Sequence, residues 1–410
     1  MSNPTPAEPE PKTSSTIISV QQTTARVGDQ AKIVGVEVGT VGGDVVIHFA
    51  EQAYEVRGLP NPFLGMQTFT YADHAKFGGR QQAIRETVAK LTVPDAPLSL
   101  LFVTGASGSG KSSFAQAGLL PALEHFYATL TLKWAVFRPS RQPVAAFGDA
   151  LWRQLGLAAL DPANLTPESF AQFLRDQTPA RQVNVIVVDQ FEEAFTQSEP
   201  QARDALFALL AALPPFAQAR THVIATMRAD YLPELFAVPA LFAIAKQGVE
   251  LRVMSEAELS DAIQQPLRAA YPDGAKHFEP ALVEHLARDA ASEASYLPLL
   301  QVTLEEIWRK GSLTLGAYGN LTDAIKQRAD KVLIFSDYES DDPHQARPPA
   351  DQQTILDIFL DLVDPAPNDD ARRDVRRRRA EDELTAQLPD RMRLADALIQ
   401  ARLLSVTIEA

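Results

Sequence analysis

Four short apolar runs dominate the hydrophobic pattern in the middle of the chain. They read LSLLFVTG (residues 98–105), LKWAVFRP (132–139), VNVIVVD (183–189) and RTHVIATMR (220–228). Short runs without regular polar alternation are typical of strands that are buried on both faces of a sheet. Segments with helical spacing separate the runs. The pattern therefore predicts an α/β domain over residues 56–250, with helices on both faces of a parallel sheet.

The pattern changes after about residue 250, where the strand-like runs stop. The next segments are SEAELSDAIQQPLRAA (255–270), EPALVEHLARDAA (279–291) and YLPLLQVTLEEIWRK (296–310). Their apolar residues recur at three- and four-residue intervals, which is the spacing of one face of a helix. We therefore expect an all-α domain over residues 251–336.

Both ends of the chain differ from this middle part. Residues 1–22 are rich in Pro, Ser, Thr and Glu and are expected to be a disordered leader. Residues 23–55 alternate valine and glycine, which predicts a short β-rich segment too small for a core of its own. Residues 337–410 begin with a loop-like stretch and continue with two or three helices, one of them carrying the basic run RRDVRRRR. The last residues, ARLLSVTIEA, begin like a strand, so we expect the natural protein to continue beyond them.

Composition narrows the classes of function. The net charge of −14 disfavours a general attraction to nucleic acid or to acidic membranes. The absence of cysteine excludes disulfides, thiolate metal sites and cysteine catalysis, and the seven histidines lack the spacing of metal ligands. The sequence contains no apolar run of membrane-spanning length and does not begin with a signal peptide, so we expect a cytoplasmic protein.

The first apolar run leads into GASGSGKS (105–112), which matches the Walker A pattern in full. In such a loop, glycines let consecutive backbone N–H groups wrap the phosphates of a nucleotide. The lysine adds a positive charge, and the hydroxyl that follows it is a ligand of Mg²⁺. We therefore predict that a nucleoside triphosphate and Mg²⁺ bind here, with Ser112 on the metal. The predicted phosphate-binding residues are Gly105, Gly108, Gly110, Lys111, Ser112 and Ser113.

The third run continues into VIVVDQFEEAF, which contains three carboxylates. Asp189 ends a buried strand, so its carboxylate is expected at the carboxyl edge of the sheet, beside the Mg²⁺. Either Glu192 or Glu193 can orient and deprotonate an attacking water, and Glu193 is the favoured candidate. The alternative is that these glutamates are solvated charges at the start of a helix.

The fourth run, VIATMRAD, ends in polar residues. If this strand lies next to the third, Thr226 and Arg228 project beside the γ-phosphate. A cation at that point can detect the γ-phosphate or stabilise its charge during transfer. The alternative is that Arg228 pairs with Asp230 or with a helix end.

Several motifs, in order from about Asn61 to Val406, resemble the STAND class of signal-transduction ATPases, in particular the bacterial branch that often carries WD40 repeats. They include FGGRQQAI, VTGASGSGKSSFAQAGLLPAL, VIVVDQFEEAF, ATMRADYLPEL and YLPLLQVTLEEIW. The resemblance implies a nucleotide-binding domain, a helical domain and a winged-helix domain. It also implies a protein that rests with ADP, exchanges it for ATP on sensing a trigger, and oligomerises to activate an N-terminal effector.

The resemblance also assigns roles to residues of this chain. Asp189 would serve the Mg²⁺, Glu193 hydrolysis and Arg228 the detection of the γ-phosphate. Around the base, the family pattern implies contacts from Phe77, Gly79, Arg80 and Pro298. The chain departs from the family at Gln81, where glutamate is usual, and at Tyr296, where related plant and animal proteins often have glycine. The winged-helix histidine that contacts ADP in the family would lie beyond Ala410.

The N-terminal segment has a loose resemblance of its own. VGVEVGTVGGDVVIHF resembles the short amyloid-signalling motifs found ahead of such ATPases, with Val36-Glu37-Val38-Gly39 at the core position. In-register stacking of this segment would make it a self-assembly motif that an effector with a matching motif can join. Glu37 opposes this, because stacking would bring like charges together. The alternative is a hairpin docked on the edge of the sheet.

Together these features favour an ATPase that acts as a slow nucleotide switch and assembles with copies of itself. Two other classes remain open. A DNA-associated AAA+-like ATPase shares the Walker motifs, the arginine and the helical domain, but it predicts a basic surface. A nucleotide-binding scaffold would use residues 25–49 and would never hydrolyse its nucleotide.

Overall fold

The computed structural model describes residues 51–160, 165–292, 296–318, 329–336 and 343–364, together with 375–376, 379, 381–385, 388–400 and 403–404. The predicted leader and the candidate assembly motif lie outside the described residues. Of the predicted β-rich segment, the described part is a helical turn, Glu51–Tyr54, followed by a bridge from Glu55 to Ser312.

A five-stranded sheet forms the centre of the N-terminal half. Its strands are β1 (Leu100–Gly105), β2 (Thr131–Phe137), β3 (Gln182–Val188), β4 (Thr221–Arg228) and β5 (Val249–Glu250). They are all parallel, in the order β2-β3-β4-β1-β5. The predicted α/β fold with a parallel sheet is therefore confirmed. Strand β5 was not predicted, because two residues are too few to form a recognisable pattern.

Helices cover the sheet on both faces. Helix α2 begins at Lys111–Ser113, passes through a π-helical stretch at Phe114–Leu119 and ends with Leu120–Phe126. The other long helices are α1 (Gln81–Leu91), α3 (Pro143–Arg153), α4 (Pro167–Gln177), α5 (Pro200–Ala211) and α6 (Pro239–Lys246). Shorter turns lie at Tyr71–Lys76, Glu193–Thr196, Phe216–Ala219 and Ala229–Ala237.

Strand β3 shows why the apolar runs have no polar alternation. Ile186 and Val188 belong to the hydrophobic core on one face of the sheet. Val183, Val185 and Val187 belong to the core on the other face. Because successive side chains of a strand point to opposite faces, a strand covered on both faces is apolar at almost every position.

The predicted helices after residue 250 are α7 (Glu256–Ala270), α8 (Pro280–Ser292) and α9 (Tyr296–Arg309). Ser255 caps α7 in a reciprocal capping box with Glu258. The three helices share a separate hydrophobic core, which also contains Val56 and Phe63. The helical core therefore combines Val56 and Phe63 with residues between Met254 and Leu313, whereas Val332, inside the predicted range 251–336, belongs to the C-terminal core.

The C-terminal part has a small core of its own. The C-terminal part comprises α10 (Pro349–Asp361), a short helix at Glu381–Thr385, α11 (Pro389–Gln400) and two antiparallel strands, β6 (Val363–Asp364) and β7 (Val375–Arg376). The sequence predicts that the basic run is helical, whereas Val375–Arg376 within it form a strand and Arg379, its other described residue, lies outside helices and strands. Pairing with Val363–Asp364 gives the backbone of this strand hydrogen-bond partners that do not depend on a helix. The winged-helix fold of this part stays a prediction. Within the described residues, no helix combines the length and apolarity that crossing a membrane requires.

Candidate functional site

A cavity opens at the carboxyl edge of the sheet, where the Walker A loop faces helix α9. The carboxyl edge of a parallel sheet is the usual place for a ligand in an α/β fold. The cavity is lined by residues of three groups. The sheet edge contributes Ser107, Gly108, Gly110–Ser113, Gln190, Glu192, Thr226 and Arg228; the helical side contributes Met254, Ala262, Leu297, Pro298 and Gln301; and the segment before α1 contributes Gly65–Phe69 and Lys76–Gly78.

The Walker A loop adopts a backbone that needs glycine at three positions. Gly108 and Gly110 have left-handed conformations, with φ of 74° and 84°. At Gly105 a Cβ atom would lie 2.9 Å from the carbonyl oxygen of Leu251 and 2.9 Å from Ser109 Oγ. The loop is therefore held tightly against its surroundings, as a phosphate-wrapping loop must be.

Lys111 follows this loop at the start of α2. Its Nζ donates hydrogen bonds to the carbonyl oxygens of Gly105, at 3.1 Å, and Ala106, at 2.7 Å. Burial lowers the pKa of Lys111, and the negative charge of Glu192 opposes that shift. The lysine thus lines the cavity as a partly buried cation beside the predicted phosphate site.

Asp189 is the centre of the hydrogen-bond network behind the cavity, and its side chain is fully buried. Its Oδ1 accepts hydrogen bonds from Ser112 Oγ, at 2.6 Å, and from Thr226 Oγ1, at 2.8 Å. Its Oδ2 lies 3.1 Å from Arg138 Nε. Strand β4 lies between β1 and β3, so the strand ends that carry the Walker A loop, Asp189 and Arg228 meet at one edge of the sheet.

The donor set suits the metal that the family implies. A hydroxyl and a carboxylate are hard oxygen ligands, which Mg²⁺ prefers, and Mg²⁺ takes its remaining ligands from phosphates and water. Ser112 and Asp189 would therefore hold the Mg²⁺ that accompanies the nucleotide. Among the described residues, no group of three or more His, Cys, Asp or Glu side chains is arranged to hold a metal by itself.

The two candidate catalytic glutamates occupy different positions. Glu192 lines the cavity, and its Oε2 accepts a hydrogen bond from the backbone N–H of Arg228 at 3.2 Å. Burial raises the pKa of Glu192, although the Lys111 charge and backbone hydrogen bonds lower it. Glu193 is only 6% exposed and is not one of the lining residues. The favoured role of Glu193 stays a prediction, but the cavity geometry favours Glu192.

Arg228 lies at the end of β4 and lines the cavity. Its guanidinium pairs with Asp230, with Nε 3.0 Å from Oδ1 and Nη2 2.5 Å from Oδ2, and lies over the ring of Tyr231. The pair with Asp230 that the sequence left open is therefore present. A role in detecting the γ-phosphate stays a prediction, and it would require this pair to rearrange.

Phe77, Gly79 and Arg80, which the resemblance assigns to the base, lie within four residues of one another. Of these three, only Phe77 lines the cavity. Gly79 has φ of 78° and approaches α7 closely: a Cβ atom there would lie 2.4 Å from the carbonyl oxygen of Glu258. Its backbone N–H donates to Asp261 Oδ2 at 2.8 Å. Gly79 therefore serves the contact between the nucleotide-binding part and helix α7.

Arg80 also lies outside the cavity lining and is 4% exposed. Its guanidinium donates to the carbonyl oxygen of Ser109 in the Walker A loop, at 3.2 Å, and to that of Arg252, at 2.8 Å. Burial lowers the pKa of Arg80, and interaction with the Tyr296 hydroxyl opposes that shift. Arg80 therefore links the back of the loop to the start of the helical part.

The helical side of the cavity includes Pro298, with Leu297 and Gln301 on the same helix α9. Contact of Pro298 with a base stays a prediction. The segment from Gly65 to Phe69 also lines the cavity, although no motif in the sequence points to it. The N–H of Phe69 donates to Ser113 Oγ at 3.1 Å, which ties this segment to the loop. The one available signal was weak: apolar residues such as Met66 and Phe69 within a stretch without helical or strand periodicity.

The family model for novel STAND NTPase 1 matches residues 62–409. Solved structures with a similar fold include the Aeropyrum pernix ORC2 protein in ADPNP–ADP complexes (14% identity, 79% of this chain and 94% of that chain, TM-score 0.45). The Aeropyrum pernix ORC1 protein in complex with DNA is similar at 15% identity (84% and 89%, TM-score 0.45), and Drosophila ORC bound to DNA at 14% (73% and 76%, TM-score 0.41). No curated protein matches the sequence.

Proposed function

Because the chain belongs to the novel STAND NTPase 1 family, we propose that it is a signal-transduction ATPase switched by ATP and ADP. One observation carries the proposal. The cavity that contains the Walker A residues is closed on its other side by Leu297, Pro298 and Gln301 of helix α9. A nucleotide in it would touch both parts, so the two nucleotide states can favour different packings of the helical part.

We assign hydrolysis to residues at the sheet edge. Lys111 would neutralise phosphate charge, Ser112 and Asp189 would hold Mg²⁺, and Glu192 would orient the attacking water, with Glu193 as the other candidate. The Asp230 pair holds Arg228, and the Arg228 N–H engages Glu192. Slow turnover is expected as long as these two contacts persist, and slow turnover suits a switch rather than a motor.

The remaining parts of the proposal rest on the family resemblance. We propose that the protein oligomerises with copies of itself on sensing a trigger, in bacterial immunity or conflict signalling, and acts in the cytoplasm. The N-terminal segment around Val36–Gly39 would pass the signal on, either by its own assembly or through an effector with a matching motif. A winged-helix domain would complete the C-terminal part.

The experiment that tests the proposal is to denature the purified protein and identify the released nucleotide by chromatography, together with a steady-state ATPase assay. We expect about one ADP per chain and turnover slower than roughly one per minute, the scale of unassisted P-loop GTPases. An empty site with fast turnover would overturn the switch, and acceleration by DNA would favour a DNA-associated ATPase. Bound nucleotide without any turnover would favour a scaffold.

A further inference from the structure

Asp189 has a partner that lies outside both the Walker A loop and its own segment, VIVVDQFEEAF. Arg138 is the first residue after β2, and its Nε lies 3.1 Å from Asp189 Oδ2. Strands β2 and β3 pair in parallel with Phe137 opposite Val188, so Arg138 and Asp189 follow neighbouring strand ends. The N–H of Asp189 also donates to the carbonyl oxygen of Phe137 at 2.8 Å. The register of the sheet therefore fixes this contact.

The two oxygens of the Asp189 carboxylate have different partners. Oδ1 accepts hydrogen bonds from Ser112 Oγ and Thr226 Oγ1, on the side where the metal is expected. Oδ2 accepts a hydrogen bond from Nε of Arg138. A carboxylate held from both sides cannot rotate freely. These contacts hold Oδ1 toward Ser112 without the help of a metal.

Charge gives the contact its significance. The Asp189 side chain is 0% exposed, while that of Arg138 is 27% exposed. A buried carboxylate without a cation is strongly disfavoured. Lys111 directs its Nζ to the carbonyl oxygens of Gly105 and Ala106. Arg138 is therefore the cation in direct contact with Asp189 among the described residues.

We propose that Arg138 is a positioning residue that stands in for the charge of Mg²⁺ at Asp189 when no metal is bound. It keeps the Asp189 carboxylate paired and in the same orientation while a nucleotide and its metal leave and others enter. A switch that exchanges ADP for ATP needs such a site to survive exchange. The inference rests on the proposed nucleotide-binding function.

The test is the Mg²⁺ dependence of thermal stability at a fixed excess of ADP, using the full 410-residue chain. In Arg138→Gln the buried carboxylate depends on the metal alone for its countercharge. We expect a lower melting temperature without Mg²⁺, a larger rise on adding Mg²⁺, and a half-effective Mg²⁺ concentration roughly tenfold lower than in the natural chain. Arg138→Lys should restore most of the natural behaviour.

Arg141→Gln is the matched control, because Arg141 lies three residues further on and makes an exposed pair with Glu199 at 3.0 Å. It should leave the Mg²⁺ response unchanged. If Arg138→Gln lowers the melting temperature equally with and without Mg²⁺, or weakens the Mg²⁺ response, Arg138 is only a structural residue and the inference is wrong.

A second measurement tests the inference if Arg138→Gln folds poorly. Adding Asp189→Asn removes the buried charge, so Arg138→Gln should cost little further stability in that background, as a double-mutant cycle would show. An equal cost in both backgrounds contradicts the inference. If the natural chain itself gains no stability from ADP with Mg²⁺, the proposed nucleotide binding fails instead.

Discussion

The two walls of the cavity are built in different ways. The sheet-edge wall consists of polar groups at the ends of neighbouring strands, and hydrogen bonds to Asp189 from Ser112 and Thr226 tie them together. The helical wall is mostly apolar, with Leu297 and Pro298 on α9, and it packs on the core of helices α7–α9.

Polar contacts also join the nucleotide-binding part to the helical part. They include Gly79 N–H to Asp261, Gln265 to the carbonyl oxygen of Ala75, and the Arg80 contacts described above. The difference teaches that hydrogen bonds fix the side chains of one wall, whereas the other wall is held mainly by apolar packing. The proposed switch would require only the apolar wall to change its packing.

The largest expected effect concerns the sheet-edge wall. Glu192→Gln should lower ATP turnover roughly a hundredfold or more, because removal of a general base has effects of this size. ATP affinity should change little. The measurement is steady-state turnover with a parallel binding titration, and Glu193→Gln is the matched control. If Glu193→Gln abolishes turnover and Glu192→Gln does not, Glu193 is the catalytic glutamate and the assignment of Glu192 from the cavity lining is wrong.

The next effect concerns the junction between the walls. Gly79→Ala would place a Cβ atom 2.4 Å from the carbonyl oxygen of Glu258, so the helical part must shift away. We expect a loss of about 2–4 kcal/mol in the free energy of unfolding, from the left-handed backbone and the clash together. Chemical denaturation of the nucleotide-free protein measures it.

Gly274→Ala is the control for that variant. Gly274 has φ of 73°, but nothing lies within 4 Å of a Cβ atom placed there. Only the backbone cost of about 1–2 kcal/mol should appear. Equal losses in the two variants would mean that the close approach to α7 carries no energetic weight.

A smaller effect on nucleotide affinity is expected from a change in the helical wall. Gln301 lines the cavity, and its Oε1 is buried without a hydrogen-bond donor among the described residues. Gln301→Met should weaken nucleotide binding roughly tenfold, yet raise the stability of the nucleotide-free protein by about 1 kcal/mol. Titration calorimetry and denaturation measure the two quantities. Gln264→Met, which alters a glutamine already bonded to Ser260, should show neither change. Parallel losses of affinity and stability would show that Gln301 has only a packing role.

The smallest effect on nucleotide binding is expected from His222, which lies outside the cavity lining. It is fully buried, and burial lowers its pKa to about 4, although a hydrogen bond to the carbonyl oxygen of Leu98 opposes the shift. Between about pH 6.5 and 4 the unfolded chain binds a proton that the folded chain does not. The free energy of unfolding therefore has the full contribution of neutral His222 above pH 6.5. It decreases as the pH falls, by up to about 3 kcal/mol at pH 4.

Denaturation at several pH values, compared with His222→Asn, measures this contribution. The variant should show a shallower loss of stability between pH 6.5 and 4, because one titrating group has been removed. Identical slopes would contradict the assigned cause. Nucleotide affinity at neutral pH should be the same in both proteins.

Sequence alone was sufficient for the sheet-edge wall because its chemistry is local. Strands β1–β4 were predicted close to their observed bounds, since burial on both faces leaves a continuous apolar run. The Walker A loop was found through spacing within eight residues. Lys111, Ser112, Glu192 and Arg228, which the motifs single out, all line the cavity, and their roles stay predictions. The order of the strands, which decides that β4 lies between β1 and β3, was left as a condition.

Tertiary structure decided what depends on close approach between distant segments. Arg138 meets Asp189 only because β2 and β3 lie side by side, and Gly79 meets Glu258 only because α7 docks there. The segment from Gly65 to Phe69 joins the cavity through one bond to Ser113. No periodicity records such contacts, because they depend on how elements far apart in the chain pack. The sequence by itself therefore determined the strands, the helices and the Walker A loop, and packing decided which side chains enclose and support the cavity.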